Sequence, residues 1–308
     1  MKAKKFNTLI VLVLLAVSFL ALELPALAQS ATTDLRTTAS VKTDNRILYH
    51  NGRVLTNVTD VYFVWYGCWD NTCGAAGDTT SQSIMMDFAS NVGATPYFEI
   101  ITTYPDGSGY TASGAVFLGG YVYDHYSRGT DLTATDIQGI IADQITSFRL
   151  RQDPNGIYVV FASADVRSPS TGLCVPGARP HHGIGMALGS DFRYAFVGNP
   201  TQCPSIAAPQ FVSDGTLLPT PNGNFAGDAM ASILANVLSS TITNPYGDGW
   251  YDRYSLQSAD KCEGQFGQTY MTANGARANV RLGQRDYLIQ ENWVNERKGR
   301  CAMSLSQF

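Results

Sequence analysis

The sequence predicts an α/β (α+β) protein with a mixed sheet, packed helices and disulfide bonds. Three observations support this prediction. Buried-strand patterns at 58–66 and 157–162 are rich in β-branched and aromatic residues, and segments of helical spacing alternate with them. The first 28 residues have the pattern of an export leader. All six cysteines lie beyond that leader, as in disulfide-stabilised exported proteins.

The N-terminus predicts secretion. Residues 1–28 combine three early lysines, an apolar stretch at 9–22 and the small-residue cleavage pattern Ala26-Leu27-Ala28. A membrane anchor is the alternative, but Glu23 and Pro25 interrupt the segment near the length that a span needs. Residues 29–43 are rich in Thr, Ser and Ala and predict a flexible lead-in. We expect residues 44–308 to form a single domain, without a membrane span in the mature form.

The charge of the mature chain limits its partners. Removal of residues 1–28 takes away three lysines and one glutamate, which leaves 18 basic and 24 acidic residues and a formal charge of −6. The sequence contains no basic stripe and no lysine/arginine run. Nucleic acid and anionic membranes are therefore not expected partners, and we expect an extracellular protein or glycan instead.

The first half of the mature chain yields three strands and two helices. Residues 58–66 predict a buried strand, residues 80–91 a helix, and residues 97–103 a second strand. The glycine- and tyrosine-rich stretch 110–125 predicts a strand pair at a sheet edge. Thr133 is a good N-cap for a helix with isoleucines on one face, and Asp136 completes a capping arrangement.

The second half continues the alternation. A turn at 153–156 leads into residues 157–162, the predicted central strand, and residues 194–197 predict another short strand. Apolar residues of the next helix recur at the spacing that buries one face; they are Met230, Ile233, Leu234, Val237 and Leu238. Pro245 stops this helix. The last sixty residues predict turns, short strands and a disulfide-tied tail.

The cysteines favour three disulfides, although six cysteines allow fifteen connectivities. Pairing in sequence order gives Cys68–Cys73, Cys174–Cys203 and Cys262–Cys301. A zinc site made of cysteine and histidine is the alternative, but the chain has no Cys-x-x-Cys pair.

The helix before Pro245 is similar to the active-site helix of secreted zinc peptidases. Such helices carry His-Glu-x-x-His, in which two imidazoles hold the metal and the glutamate activates water. The corresponding window, 235–240, reads Ala-Asn-Val-Leu-Ser-Ser and has neither histidine nor carboxylate. This deficit favours a degenerate, non-catalytic protein, and no cofactor is expected.

A series of short motifs spans nearly the whole mature chain. They are Tyr49-His50-Asn51-Gly52, Trp65-Tyr66-Gly67, Ser163-Ala164-Asp165-Val166, His182-Gly183, Val197-Gly198-Asn199, Gln202-Cys203-Pro204, Pro221-Asn222-Gly223-Asn224, Asn244-Pro245-Tyr246-Gly247 and the segment from Cys262 to Cys301. In their sequence and order these motifs resemble the EXORDIUM or phosphate-induced proteins, a secreted family best known from plants.

Two features depart from the plant pattern. Plant members lack the loop between Cys68 and Cys73, and they have two cysteines before the His-Gly pair where this chain has only Cys174. The C-terminal quarter, with Gly249-Trp250-Tyr251 and Asp260-x-Cys262, instead resembles bacterial secreted zinc peptidases. This second resemblance implies a zincin-like fold.

Five residues are candidate site residues. His181 and His182 are adjacent histidines, predicted in a loop, that could bind metal or act as a base, although a structural role is the simpler interpretation. Asp165 follows the predicted central strand, where sites commonly form in α/β sheets. Asp228, at a helix start, and Asp260, beside a cysteine, are explained more simply by helix capping and by turn formation.

The expected function is therefore that of a non-catalytic extracellular or cell-wall (apoplastic) binding protein. The family resemblance implies a link to the control of growth or cell expansion. One alternative is a zinc-dependent hydrolase with an atypical site, for which zinc would be the cofactor. The other is a polysaccharide-binding module in which tyrosines form the contact face; these tyrosines are Tyr104, Tyr110, Tyr121, Tyr123 and Tyr126.

Overall fold

A computed structural model describes residues 46–72, 78–169, 173–177, 179–296 and 298–306. The predicted leader, the predicted lead-in and Cys73 lie outside the described residues. The strands are, in chain order, β1 (Leu48–Tyr49), β2 (Thr59–Tyr66), β3 (Val116–Asp124), β4 (Ile157–Ala162), β5 (His181–Ala187), β6 (Ser190–Val197), β7 (Val212–Ser213), β8 (Thr216–Leu217), β9 (Trp250–Tyr251), β10 (Tyr270–Met271), β11 (Arg277–Ala278), β12 (Val280–Leu282), β13 (Arg285–Tyr287), β14 (Asn292–Val294) and β15 (Arg300–Ala302). The helices are α1 (Thr79–Asn91), α2 (Ala134–Thr146), α3 (Pro204–Ala207) and α4 (Phe225–Thr243), and the 3₁₀ turns are Phe98–Thr103, Pro200–Gln202, Pro209–Phe211 and Asp260–Cys262.

A five-stranded mixed sheet organises the fold, in the order β3-β2-β4-β6-β5. The first four of these strands run parallel, and β5 pairs antiparallel with β6. The predicted mixed α/β class and the central position of β4 are both confirmed. Because β2 and β4 are covered on both faces, their sequences are almost continuously apolar.

Each face of the sheet packs against different helices. On one face, Val61, Phe63 and Trp65 of β2 join a core that includes residues of α1 and α4. On the other face, the alternate residues of β2 pack with the isoleucines of α2. The strand's period of two therefore distributes its side chains between two cores.

The helices begin where their capping residues predict. Thr133 caps α2 in a complete capping box with Asp136. In α4, Asn224 is the cap, and every residue from 226 to 243 is buried rather than one face alone. By length and composition α4 could cross a membrane, yet 94 % of the relevant window is buried inside the protein, as in a core helix.

Three segments differ from the sequence predictions. Residues Phe98–Thr103 form a 3₁₀ helix rather than a strand, because Ile100 packs against Val294 and Ala302 in a small core of its own. The stretch 110–125 contains the single strand β3 instead of a strand pair. His181 and His182 open strand β5 rather than lying in a loop, because that strand pairs with β6 across a tight turn.

Two of the three predicted disulfides are confirmed. Cys174 bonds to Cys203, and Cys262 bonds to Cys301. The predicted partner of Cys68 is Cys73, which is outside the described residues, so that pairing stays a prediction. The C-terminal part consists of short hairpins, as expected, and the second disulfide joins strand β15 to the 3₁₀ turn at Asp260–Cys262.

Candidate functional site

A cleft of about 220 Å³ lies beside helix α4. Ser232, Ile233 and Asn236 of α4 line it, so it opens beside the window in which a zinc peptidase would carry its ligands. Apolar side chains form much of its wall and several polar groups converge on it, the usual composition of a small-molecule site. The other apolar residues are Leu173, Phe196, Ile206 and Phe266, and the other polar ones include Arg179, His181, Asp260, Glu263 and Gln290.

Both described disulfides hold walls of this cleft. The Cys174–Cys203 bond follows Leu173 in the chain and precedes the short helix α3, which carries Ile206. The Cys262–Cys301 bond ties down the turn that carries Asp260. Cross-links of this kind restrict the unfolded chain and keep short, irregular segments in place. The cleft is thus built from loops that are anchored covalently.

Asp260 is the most buried carboxylate of the cleft, with 8 % of its surface exposed. Burial raises the pKa of this carboxyl group, and the hydrogen bond that its Oδ2 accepts from the main-chain N–H of Gln257 (2.9 Å) opposes the effect. The guanidinium Nε of Arg179 lies 3.8 Å from the same oxygen. The cleft therefore contains a partly desolvated ion pair at one end.

His181 lines the cleft, and its Nε2 lies 3.1 Å from the hydroxyl of Tyr194. His182, the next residue of β5, places its Nε2 about 3 Å from the amide group of Gln257. Burial lowers the pKa of His182 to about 4 and also lowers that of His181. Both imidazoles are neutral near pH 7.

The zinc alternative requires a donor set that these residues do not form. His181 and Asp260 border the same cleft, but each is engaged with a protein partner. Within the described ranges, no group of three or more His, Cys, Asp or Glu side chains is arranged to hold a metal ion. The window of α4 offers only Asn236 to the cleft. The geometry thus does not fit a zinc centre, and no metal-dependent step can be derived from it.

Asp165 lies outside this cleft, in the loop after β4. Its carboxylate accepts hydrogen bonds from Ser163 Oγ (2.6 Å) and from the hydroxyl of Tyr126 (2.8 Å). Burial acts to raise its pKa, but these two hydrogen bonds outweigh it and lower the pKa. Asp165 borders a neighbouring cavity of about 700 Å³ that shares Leu173 with the cleft.

Asp228 lies in the first turn of α4, away from both cavities. Its carboxylate accepts the main-chain N–H (2.8 Å) and the side-chain amide (2.6 Å) of Asn222. Burial raises the pKa of this carboxyl group, although the hydrogen bonds from Asn222 act to lower it. The carboxylate thereby links the helix start to the Pro221–Asn224 motif.

The predicted tyrosine face is divided in the structure. Tyr104 is fully buried, and its hydroxyl donates to the carbonyl of Trp293 (2.6 Å), so it cannot contribute to a contact surface. Tyr126 is engaged with Asp165. Tyr121 and Tyr123 remain together on β3.

The sequence did not point to three residues of this site. Arg179 and Glu263 line the cleft, and Gln257 contacts Asp260 and His182. Arg179 and Glu263 belong to segments about eighty residues apart, and no local motif marks either one. Gln257 precedes Asp260 by three residues, the spacing of a side chain that accepts a local main-chain N–H. This spacing is the one local feature that could have indicated the contact between Gln257 and Asp260.

Comparisons with known proteins agree on one family. The model of the phosphate-induced protein 1 conserved region matches residues 47–301. The chain is 30 % identical over 281 residues to Protein EXORDIUM-like 3 of Arabidopsis thaliana, with 80 % of each chain covered. It is 28 % identical over 240 residues to Protein PHOSPHATE-INDUCED 1 of Nicotiana tabacum, covering 72 % of this chain and 74 % of the relative.

No solved structure matches the chain. The resemblance of the C-terminal quarter to zinc peptidases, and with it the zincin-like fold, finds no support in any of these comparisons. The family model covers most of the chain, and the chain belongs to the phosphate-induced protein 1 family, together with the EXORDIUM proteins.

Proposed function

We propose that this protein is exported and acts outside the cell, or in the cell wall, as a non-catalytic EXORDIUM-type binding protein. Its ligand enters the cleft beside α4, and its role lies in the control of growth or cell expansion, as the family resemblance implies. The observation that carries the proposal is the convergence of Arg179, His181 and Asp260 on a cleft with apolar walls.

Two further features support this function. The Cys174–Cys203 and Cys262–Cys301 bonds are typical of proteins that mature in oxidising compartments. The cleft also offers fixed hydrogen-bonding groups beside apolar surface, which orients a ligand without any chemical step. Such a surface supports the binding of an extracellular protein or glycan.

Export is tested by expressing the full chain and a chain without residues 2–28 in the cells that produce it. We expect the full chain in the extracellular fraction with its disulfides formed, and the shortened chain inside the cell. Retention of the full chain in the cytosol would contradict the proposal. The measurement is immunodetection in both fractions, with thiol labelling to report the oxidation state.

Binding through the cleft is tested with Ile206→Trp, since Ile206 lines the cleft from the short helix α3 and is partly exposed. The probe is insoluble cell-wall material from the producing cells. We expect the indole to block the cleft and to lower the retained protein about tenfold. Leu217→Trp, at an exposed position of β8, is the matched control and should be retained like the wild type.

Equal retention of both variants, with unchanged thermal stability, would show that the cleft is not the binding site. If Ile206→Trp loses both retention and thermal stability, partial unfolding would also explain the loss. Ile206→Phe then separates the two explanations. This smaller ring still narrows the cleft, and a folded Ile206→Phe protein that is retained fully would count against the proposal.

A further inference from the structure

Strand β3 lies at the edge of the sheet, and one of its faces carries a row of aromatic rings. Tyr121, Tyr123 and His125 follow one another at every second residue. The ring centroids of the two tyrosines are 5.9 Å apart, and those of Tyr123 and His125 are 6.2 Å apart with nearly parallel planes. Tyr121 is 45 % exposed. Rings spaced in this way offer rigid contact area at a small entropic cost.

A polar cavity of about 550 Å³ adjoins this row and is lined by Tyr123 and His125 themselves. Gln144 of α2 also lines it and is only 5 % exposed. Its Nε2 donates to Asp124 (3.2 Å), whereas its Oε1 has no hydrogen-bond partner among the described residues. A buried amide oxygen without a partner is costly, and a ligand hydroxyl would satisfy it.

This cavity has charged groups of both signs. Asp70 and Asp124 contribute carboxylates, while Arg149 contributes a guanidinium and His125 lies 3.3 Å from Asp70. Carboxylates, amides and guanidinium groups are planar and can each bind two neighbouring hydroxyls. The absence of a dominant charge favours a neutral ligand that is rich in hydroxyl groups.

The edge is poorly suited to an added peptide strand. Arg149 Nη2 donates to the main-chain carbonyl of Tyr123 (2.9 Å) and so occupies an acceptor of the strand. The pairing of β3 with β2 shifts register between Val61 and Tyr62, opposite the pair Gly119-Gly120. Such irregularities twist an edge away from regular pairing.

The geometry points to a second binding site on this edge, for a neutral oligosaccharide or polysaccharide segment. A sugar ring stacks its C–H face on Tyr121 or Tyr123, and its hydroxyls bond to Gln144, Arg149 and Asp70. No covalent bond forms or breaks. The site is separate from the cleft beside α4, since the residues that line the two cavities do not overlap.

The test is affinity electrophoresis of the purified mature protein in gels that contain soluble neutral polysaccharides, namely hydroxyethylcellulose, xyloglucan, xylan or galactomannan. Polygalacturonate serves as the acidic comparison. We expect at least one neutral polymer to retard the wild type, and Tyr121→Ala to weaken that binding about tenfold. Tyr121→Phe keeps the ring and should bind within about threefold of the wild type.

Tyr254→Ala is the matched control, because Tyr254 is 50 % exposed but belongs to a turn and not to strand β3, so this variant should bind unchanged. Ile206→Trp, which blocks the other cleft, should also keep its glycan affinity. If no neutral polymer retards the protein, if polygalacturonate alone does, or if folded Tyr121→Ala binds normally, the inference is overturned. Because cell-wall material also contains neutral polysaccharides, the cleft is tested separately with Ile206→Trp in a Tyr121→Ala background. Retention there should still fall about tenfold if the cleft binds, and unchanged retention contradicts the cleft proposal alone.

Discussion

His182 and Gln257 meet side chain to side chain, with Nε2 of the imidazole 3.1 Å from Oε1 and 3.0 Å from Nε2 of the amide. The main-chain N–H of Gln257 donates in turn to Asp260. One glutamine thus connects strand β5 to the turn that forms a wall of the cleft. The other ring nitrogen of His182, Nδ1, is buried and has no partner among the described residues.

This arrangement predicts a loss of stability in acid. Burial lowers the pKa of His182 from 6.5 to about 4, because a second proton on the ring would be a charge in a desolvated site. The neutral ring of His182 therefore makes its full contribution to the free energy of unfolding above pH 6.5. This contribution is lost as the pH falls from 6.5 towards 4. Between pH 7 and pH 5 the contribution of this group falls by about 2 kcal/mol.

The check is urea denaturation of the wild type and of His182→Gln at both pH values. The wild type should lose about 2 kcal/mol more than the variant, which has no group that titrates at this position. Identical pH profiles for the wild type and His182→Gln would refute the assignment.

The cap of helix α2 predicts a smaller effect. Thr133 Oγ accepts the main-chain N–H of Asp136 (3.2 Å), and the carboxylate of Asp136 accepts the N–H of Thr133 (2.9 Å). Thr133→Ala should therefore destabilise the protein by about 1 kcal/mol, while Thr133→Ser should be nearly neutral. The hydroxyl of Thr133 also donates to Asp136 Oδ2 (2.6 Å) and lowers the pKa of that carboxyl group. Because Thr133→Ala removes this hydroxyl, NMR titration should show a rise in the pKa of Asp136.

The same cap illustrates what the sequence could predict. Helices α1, α2 and α4 and strands β2, β4 and β6 were predictable because their periodicity and end residues act locally. Strand β5 was not, since its turn has Leu188 and Gly189 both at positive φ. Leucine rarely adopts that conformation, and the Asn-Gly pattern that predicts such hairpins is absent.

The cleft was predictable only in part. His181 was a candidate because it adjoins a second histidine, and Asp260 because it is a carboxylate beside a cysteine. Nothing local indicated that Arg179 or Ile206 would join them. These residues meet through the packing of α4 against the disulfide-tied segments. The 3₁₀ helix at Phe98–Thr103 shows the same limit, because its β-branched residues predict a strand until a partner almost 200 residues away in sequence is known.

The two described disulfides predict unequal losses when they are removed. Their loops are similar, with sequence separations of 29 and 39 residues, so the loss of chain constraint costs about 4 kcal/mol in each case. Cys262 is fully buried, whereas Cys174 is exposed. Removal of Cys262–Cys301 should therefore cost more, because it also leaves a defect in the core.

The measurement compares the double variants Cys174→Ala/Cys203→Ala and Cys262→Ala/Cys301→Ala by urea denaturation without reductant. Both should unfold at lower urea concentrations than the wild type, and the second should unfold first. If either variant matches the wild type, that disulfide does not stabilise the native state. If the order is reversed, the burial of Cys262 does not increase the loss of stability as we expect.

At Gly67, in the Trp65-Tyr66-Gly67 motif, we expect a single added methyl group to destabilise the protein strongly. Its φ of 98° disfavours any side chain, and an added Cβ would lie 2.0 Å from Ser163 Oγ. That hydroxyl accepts from the main-chain N–H of Cys68 (3.1 Å) and donates to Asp165. Gly67→Ala should therefore cost about 3 kcal/mol, from backbone strain together with the displaced hydroxyl.

Gly109→Ala separates the two contributions. Gly109 has a similar φ of 87°, but an added Cβ would meet nothing within 4 Å, so its variant should lose only about 1 kcal/mol. In the double variant Gly67→Ala/Ser163→Ala the clashing hydroxyl is gone, and the two single losses should then fail to add. Additive losses in this cycle would mean that Gly67 is required for its backbone conformation alone and that its contact with Ser163 carries no energy.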